Sequence, residues 1–267
     1  MHYVVLKVGG SMLDQLPQSF FEEVVQLSQD AYPIIVHGGG PAITSMLQVL
    51  QHETVFTDGV RVTTKGMVNT VEMVLSGKVN KFVVKQLQAA NGLAVGISGV
   101  DAKLLTCRIY NEDFGYVGEV EQVDAQLLKT LCGAGYIPVV SPLGIDEGGE
   151  TLNINGDEAA AAIAAELSAE LFLISDVPGI YSSGIGSSIY DAVSLEDIDA
   201  LIESGVIAGG MIPKVKGACR AIRKGVKRAI ILNGLERNGL SRSLSGESIG
   251  TTIREKGSGI HASNGAK

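Results

Sequence analysis

The sequence lacks the features that would direct a protein to a membrane, to the secretory pathway or to nucleic acid. No apolar run reaches the ~18 residues that a membrane-spanning helix needs. The start, Met1-His2-Tyr3-Val4, enters a strand-like segment without the charged and apolar regions of a signal peptide. Basic residues are fewer than acidic ones, 21 against 29, and the formal net charge is −8. We therefore expect a cytoplasmic protein with no nucleic-acid or membrane partner.

Cysteine is also scarce. The three cysteines, Cys107, Cys132 and Cys219, are odd in number and far apart in the chain. Their spacing is not that of a metal site, so no residue is assigned to a metal. We expect all three to be buried, reduced thiols.

Glycine, in contrast, is abundant, with 34 residues that interrupt the apolar runs. The stretch 34–41, Ile-Ile-Val-His-Gly-Gly-Gly-Pro, has the pattern of a short buried strand, a glycine turn and a helix that begins at proline. The stretch 4–11, Val-Val-Leu-Lys-Val-Gly-Gly-Ser, repeats this design with a lysine before the glycines. An anion can approach the backbone N–H groups of such turns because no Cβ is in the way. The two turns predict a phosphate site shared between neighbouring strands.

Two common nucleotide-binding loops are missing. A dinucleotide-binding fold needs Gly-x-Gly-x-x-Gly after its first strand and an acidic residue at the end of its second. Here the first turn is Gly9-Gly10-Ser11 and the second strand ends in His37. The Walker pattern Gly-x4-Gly-Lys-Ser/Thr is absent as well. The predicted phosphate site is therefore built from several loops, with lysines supplied separately.

Strand-like and helix-like segments alternate along the chain. This alternation predicts an α/β fold, a three-layer αβα sandwich around an open, mostly parallel sheet. Lys65 to Ala90 is predicted to be one long helix with a kink at Gly77, and 104–123 a β-ribbon at the sheet edge. We expect one continuous domain with two lobes, residues 1–150 and 151–253, followed by a polar, glycine-rich and flexible tail at 254–267.

Six motifs, in this order, resemble those of the amino acid kinase family from Tyr3 to Ile253. They are Lys7-Val8-Gly9-Gly10, His37-Gly38-Gly39-Gly40, Asp58-Gly59-Val60-Arg61-Val62-Thr63, Asn153-Ile154-Asn155-Gly156-Asp157, Ser175-Asp176-Val177-Pro178-Gly179 and Gly209-Gly210-Met211-Ile212-Pro213-Lys214. The resemblance implies that the N-terminal lobe binds an acidic amino acid and the C-terminal lobe binds ATP with Mg²⁺. The arginine hairpin and the Asn153 motif further imply transfer of phosphate from ATP to the γ-carboxylate of N-acetyl-L-glutamate, a step in arginine biosynthesis.

The chemistry of phosphoryl transfer is consistent with these implied roles. A side-chain carboxylate, with an ordinary pKa near ~4.3, is already ionised at neutral pH, so the site needs positive charge rather than a general base. The resemblance implies that Lys7 and Lys214 neutralise the transferring phosphoryl group and that Asp157 holds both ammonium groups. Residues implied in substrate binding are Gly39, Gly40, Arg61 and Asn153, and those implied in nucleotide binding are Gly9, Gly10, Asp176, Gly179, Tyr181, Gly209, Gly210 and Met211.

Simpler interpretations of the same residues stay open. Lys7 is also consistent with an exposed edge lysine, Arg61 with a solvated hairpin charge and Asp157 with a helix cap. Gly38 to Gly40 would also form a tight turn without a ligand, and His37 is interpreted as structural. For the whole chain, the alternatives are a kinase for a related acidic substrate such as a modified aminoadipate, and a non-catalytic amino-acid sensor with the same fold.

The resemblance also bears on assembly and regulation. It implies at least a homodimer, and arginine-inhibited members of the family carry an additional helix before the first strand. Here that strand begins at Tyr3, so we expect a homodimer that is insensitive to arginine. The predicted contact is the long helix from Lys65 to Ala90, through an apolar stripe of Met67, Val71, Val74 and Leu75.

Overall fold

The computed structural model describes residues 1–57, 59–183 and 186–255, together with the backbone of 261–262. The helices are α1 (Gln18–Leu27), α2 (Gly40–Val49), α3 (Lys65–Glu72), α4 (Asn80–Ala89), α5 (Gln126–Gly133), α6 (Gly156–Glu166), α7 (Ile198–Glu203), α8 (Met211–Arg223) and α9 (Gly239–Leu244). The strands are β1 (Tyr3–Val8), β2 (Tyr32–His37), β3 (Phe56–Thr57), β4 (Val60–Arg61), β5 (Ala94–Ser98), β6 (Leu105–Ile109), β7 (Val117–Val123), β8 (Ile137–Ser141), β9 (Leu143–Ile145), β10 (Thr151–Ile154), β11 (Glu170–Ser175), β12 (Tyr190–Ser194), β13 (Ala229–Asn233), β14 (Thr251–Arg254) and β15 (His261–Ala262).

The largest sheet in the described residues has the strand order β15-β12-β14-β13-β11-β1-β2-β8-β5. The six strands from β13 to β5 run parallel, while β14 is antiparallel to β13. Alternate residues of the central strand β1 enter two different cores, Val5 on one face and Leu6 on the other. Helices α5, α6 and α8 cover the first face, and α1, α4 and α9 cover the second. The predicted three-layer α/β fold with a mostly parallel sheet is confirmed.

The predicted ribbon at 104–123 has a different location. Its strands β6 and β7 form a closed four-stranded barrel with β9 and β10, rather than extending the edge of the main sheet. Leu105 and Cys107 on β6 are buried, as are Leu152 and Ile154 on β10. A two-stranded ribbon could not cover these apolar side chains alone, whereas barrel closure removes them from water.

The long helix is continuous but not uniform. Between α3 and α4 the residues Met73–Val79 form a π-helical segment, and the predicted kink residue Gly77 lies within it. The apolar stripe proposed as a dimer contact is buried within the protomer, with side chains 0–6% exposed at Met67, Val71, Val74 and Leu75. These side chains pack in the protomer's own core and cannot contact a partner subunit. The prediction that this stripe forms the dimer contact is therefore wrong.

Several smaller predictions concern turns, thiols and the tail. The three cysteines are buried, free thiols, as expected. The hairpin around Arg61 is present as β3 and β4, although its tip residue Asp58 lies outside the described residues. Most of the predicted flexible tail, 256–260 and 263–267, also lies outside them, while 261–262 pair with β12. No helix in the part of the chain that the structure describes is long and apolar enough to cross a membrane.

Candidate active site

The two glycine turns lie side by side at the carboxyl ends of β1 and β2. These strands pair in parallel with Val8 beside His37, so both turns begin at the same edge of the sheet. The Gly38 N–H donates to the Val8 carbonyl at 2.8 Å. A Cβ on Gly10 would lie 2.7 Å from the Gly39 nitrogen and 3.0 Å from the Gly40 nitrogen. Glycine is required at position 10 because the two backbones are in direct contact.

A cavity of about 320 Å³ opens beside these turns. The predicted residues among those that line it are Lys7, Gly10, Gly39, Gly40, Arg61, Asn153 and Asp157. They come from five separate parts of the sequence, namely the two glycine turns, the arginine hairpin, the barrel strand β10 and the start of α6. The fold therefore brings together every residue implied in substrate binding with two of the three implied in catalysis.

Lys7 and Asp157 form an ion pair on the cavity wall. Lys7 Nζ lies 2.9 Å from Asp157 Oδ1, and the two side chains are 17% and 25% exposed. The Asn155 side chain caps α6 by accepting from the backbone N–H groups of Asp157 and Glu158. A carboxylate in the first turn of a helix is also stabilised by the helix dipole. The Lys7 ammonium is thus held at the cavity by a carboxylate that the fold itself orients.

Lys214 lies on α8 and contacts a different carboxylate. Its Nζ is 2.7 Å from Asp176 Oδ1 and 2.7 Å from Ser175 Oγ, at the carboxyl end of β11. The hydrogen bond from Lys214 keeps the pKa of Asp176 below its ordinary value. Of the two contacts predicted for Asp157, the structure therefore contains the one with Lys7. Asp157 still packs against α8, since a Cβ on Gly217, less than one turn after Lys214, would lie 3.5 Å from its Cβ.

Arg61 lines the cavity, and its guanidinium is buried beside it. Nη2 donates to the Gly40 carbonyl at 3.0 Å and to Thr44 Oγ1 at 2.6 Å. Nη1 is buried and has no hydrogen-bond partner within the described part of the chain. Burial lowers the pKa of the guanidinium below its ordinary value, although arginine stays charged at any physiological pH. A buried donor without an acceptor is costly, and the hydrogen-bonding capacity of Nη1 is unmet among the described residues.

Phe56 is a site residue that sequence reasoning missed. The Arg61 guanidinium lies over the Phe56 ring, with Cζ 4.5 Å from the ring centroid. The contact is cation–π in type and restricts the orientation of the arginine fork. A signal for it was available, because Phe56 and Arg61 are directly opposite each other in the β3–β4 register.

Asn153 connects the barrel to the arginine hairpin. Its Nδ2 donates to Thr63 Oγ1 at 3.1 Å, and the Thr63 hydroxyl donates to the Arg61 carbonyl at 3.1 Å. Thr63 is fully buried and was not predicted as part of the site. The chain of hydrogen bonds fixes the relative positions of the two side chains implied in substrate binding.

The residues predicted for the nucleotide lie in three segments of the chain. Gly9 and Gly10 belong to the β1 turn described above. The residues after β11 form a separate surface, where Asp176 is paired with Lys214, Gly179 packs against Thr251 and Tyr181 makes a β-bridge with Ile189. These residues lie outside the 320 Å³ cavity, whose lining comes from the segment 7–157.

The third predicted nucleotide segment precedes Lys214. Gly209 adopts a positive φ of 55°, Gly210 is the N-cap of α8 and Met211 is its first residue. The ion pair between Lys214 and Asp176 therefore joins the two segments of the C-terminal half that were predicted to contact the nucleotide.

His37 lies beneath the second glycine turn and is fully buried. Its Nδ1 is 3.0 Å from the Gly38 carbonyl oxygen, and its Nε2 is 3.2 Å from Ser141 Oγ and 3.3 Å from Asn80 Nδ2. Burial lowers the pKa of the imidazole to about 4, assisted by the Lys81 charge. The ring is therefore neutral at physiological pH. No partner was predicted for His37 from the sequence, because Asn80 and Ser141 are far from it along the chain.

Comparison with known proteins shows which family the chain resembles. The family model described as "Amino acid kinase family" matches residues 2–233. The acetylglutamate kinase of Oceanobacillus iheyensis is 41% identical over 260 residues, which cover 96% of this chain and 98% of the relative.

Solved structures show the same fold. The N-acetylglutamate synthase of Neisseria gonorrhoeae, complexed with coenzyme A and N-acetyl-glutamate, superimposes with a TM-score of 0.80 at 24% identity, covering 96% of this chain and 60% of that one. The carbamate kinase of Giardia lamblia bound to AMP-PNP gives a TM-score of 0.67 at 16% identity, with 96% and 99% of the two chains covered. The family model and the near-full-length relative agree with the six motifs, and the chain belongs to the amino acid kinase family.

Proposed function

We propose that this protein is an acetylglutamate kinase. It transfers the γ-phosphoryl group of ATP to the γ-carboxylate of N-acetyl-L-glutamate, giving N-acetyl-L-glutamyl 5-phosphate in arginine biosynthesis. The observation that carries this conclusion is the similarity to an acetylglutamate kinase along almost the whole of both chains. The cavity supports the proposal, because the side chains that would bind such a substrate all line it.

The amino acid is held at the hairpin end of the cavity. Arg61 presents a planar fork with one buried N–H group still free to donate, which suits the α-carboxylate of the substrate. Asn153 lies nearby with both a donor and an acceptor, as binding of an N-acetyl amide requires. The substrate's own γ-carboxylate is the nucleophile and is already ionised, so no side chain has to remove a proton.

The reaction is promoted by positive charge and by orientation. Two anions must approach each other, and the negative charge of the transferring phosphoryl group is neutralised by Lys7 on one side. The N–H groups at the start of α2, next to Gly39 and Gly40, supply further donors that have no acceptor within their own helix. Lys214 supplies the second cation from α8, after its ammonium has moved from Asp176 toward the phosphates.

The nucleotide and its metal are assigned to the C-terminal half. The turns at 176–181 and 209–211 bind ATP on the side of Lys214. The described residues contain no group of three or more His, Cys, Asp or Glu side chains that could hold a metal ion. Mg²⁺ is therefore proposed to enter on the triphosphate oxygens, where it balances their charge. The protein is proposed to act as a homodimer through a surface other than the buried stripe of the long helix.

A direct assay tests the function. Purified protein, ATP, Mg²⁺ and N-acetyl-L-glutamate should form an acyl phosphate that hydroxylamine traps as a hydroxamate. Free glutamate, N-acetyl-aspartate and N-acetyl-aminoadipate are tested in parallel, because the last two change the carboxylate position by one methylene. Turnover with aminoadipate alone would make the protein a kinase for the longer substrate, and no turnover with any of them would favour a sensor.

Gly10→Ala tests the contact between the two glycine turns. The new Cβ would lie 2.7 Å from the Gly39 nitrogen, so the turns must separate and the site must widen. We expect a stability loss of about 1–3 kcal/mol, as for other overpacked positions, with a fall in kcat. Gly133→Ala is the matched control, since a Cβ there meets nothing within 4 Å. Wild-type kcat and stability in Gly10→Ala would contradict the tight packing described here.

A further inference from the structure

We propose that His37 is a positioning residue for phosphoryl transfer. Its Nδ1–H holds the Gly38 carbonyl and thereby directs the N–H of Gly39 toward the reacting phosphoryl group. The inference rests on the proposed kinase function and adds a residue that this function did not require. The evidence for this role is the set of atoms that contact the two ring nitrogens of His37.

The environment of Nδ1 fixes where the proton lies. Nδ1 is 3.0 Å from the Gly38 carbonyl oxygen, and a carbonyl oxygen can only accept a hydrogen bond. The contact is therefore a hydrogen bond only if Nδ1 carries the proton. In a neutral ring this leaves Nε2 without a proton, as an acceptor.

The contact between Nε2 and Asn80 agrees with this tautomer. Asn80 Nδ2 is identified as the amide nitrogen because it also contacts two carbonyl oxygens, Val139 O at 2.9 Å and Ile97 O at 3.2 Å. The other atom of this amide, Oδ1, accepts from Lys81 Nζ at 2.8 Å. An amide nitrogen at 3.3 Å from Nε2 can only donate to it. The Nδ1 contact therefore assigns the Nδ1–H form, and the Asn80 contact agrees with it.

The consequence for the active site comes from the planarity of the peptide bond. In a trans peptide the carbonyl of one residue and the N–H of the next point in opposite directions. When His37 holds the Gly38 carbonyl on the interior side, the Gly39 N–H faces away from the interior. The Gly39 and Gly40 nitrogens lie close to Gly10, where a Cβ would come within 2.7 Å and 3.0 Å of them, and all three glycines line the cavity.

The histidine is itself held rigidly. Ser141 Oγ lies 3.2 Å from Nε2 and 3.2 Å from the Leu75 carbonyl oxygen in the π-helical segment, and its single O–H donates to one of these two acceptors. His37, Asn80 and Ser141 are all 0% exposed, so water does not compete for these hydrogen bonds. The glycine turn is therefore oriented by a network that extends to β8 and to the long helix.

Two substitutions test whether His37 positions the glycine turn or only packs in the protein interior. Asparagine places its amide near the position of Nδ1 and can still donate to the Gly38 carbonyl, whereas glutamine reaches the position of Nε2 and cannot. We expect His37→Gln to lower kcat about tenfold with little change in either KM, a smaller loss than complete removal of a donor. His37→Asn should retain more of the wild-type kcat than His37→Gln, even though it leaves a larger void. A wild-type kcat in His37→Gln, or equal losses in both variants, would overturn the proposal.

A measurement on the wild-type protein does not depend on whether the variants fold. The ¹⁵N shifts of the His37 ring, recorded without substrate, should show a protonated Nδ1 and an unprotonated Nε2. A protonated Nε2 would overturn the proposal. Failure of the proposed function would be recognised differently, as a wild-type protein that does not phosphorylate N-acetyl-L-glutamate while the ring shifts are as expected.

Discussion

Lys7→Met should lower kcat by about 10²–10³-fold, as removal of a preorganised donor to a transition state does in other enzymes. The Lys7 ammonium lies on the cavity wall, fixed by Asp157 at 2.9 Å. In the proposed reaction it acts on charge in the transferring phosphoryl group, so the KM for N-acetyl-L-glutamate should change little. Steady-state kinetics with each substrate varied in turn separate the two parameters.

The variant should remain folded. Asp157 loses its partner, yet it stays at the amino terminus of α6, where the helix dipole continues to stabilise a carboxylate. Lys65→Met is the matched control, because that lysine is 72% exposed and pairs only loosely with Glu150 at 3.5 Å. An unchanged kcat in Lys7→Met, or an equal loss in Lys65→Met, would remove Lys7 from the reaction.

The order of elements was the part of this fold most accessible from the sequence. Strands that are buried on both faces produce continuous apolar runs, as in β1, β2 and β11, and the glycines mark where they end. The barrel was not accessible in the same way. Its closure depends on β10 pairing with β7 and β9 pairing with β6, and alternation within one ribbon does not show which strands will cover it.

The candidate site was predictable to the extent that it lies at strand ends. Parallel strands bring their carboxyl ends to one edge, so two glycine turns that follow neighbouring strands had to meet. The contacts between distant segments were not predictable. His37 depends on Asn80, 43 positions away, and on Ser141, 104 positions away. Lys214 pairs with Asp176 rather than Asp157, and sequence order does not determine which of two nearby carboxylates a flexible lysine selects.

Arg61→Ala should raise the KM for N-acetyl-L-glutamate about 10²-fold, with a much smaller effect on kcat and on the KM for ATP. The guanidinium is buried beside the cavity, and under the proposed function the variant removes the buried partner of the substrate's α-carboxylate. Such truncations cost about 2–5 kcal/mol, and 1.4 kcal/mol corresponds to tenfold in affinity. Titration of N-acetyl-L-glutamate at saturating ATP measures the effect.

Two further variants define what the arginine contributes. Arg61→Lys retains the charge but not the planar fork that bonds Gly40 and Thr44 and leaves Nη1 for a ligand, so it should also bind the amino acid poorly. Arg108→Ala is the matched control, because its guanidinium is exposed and paired with Glu119 and Glu121 on the barrel surface. If Arg61→Ala binds N-acetyl-L-glutamate as well as Arg108→Ala does, the free Nη1 donor serves something other than the substrate carboxylate. In that event the guanidinium would serve the hairpin's own packing on Phe56, and the α-carboxylate of the substrate would be assigned to Asn153 instead.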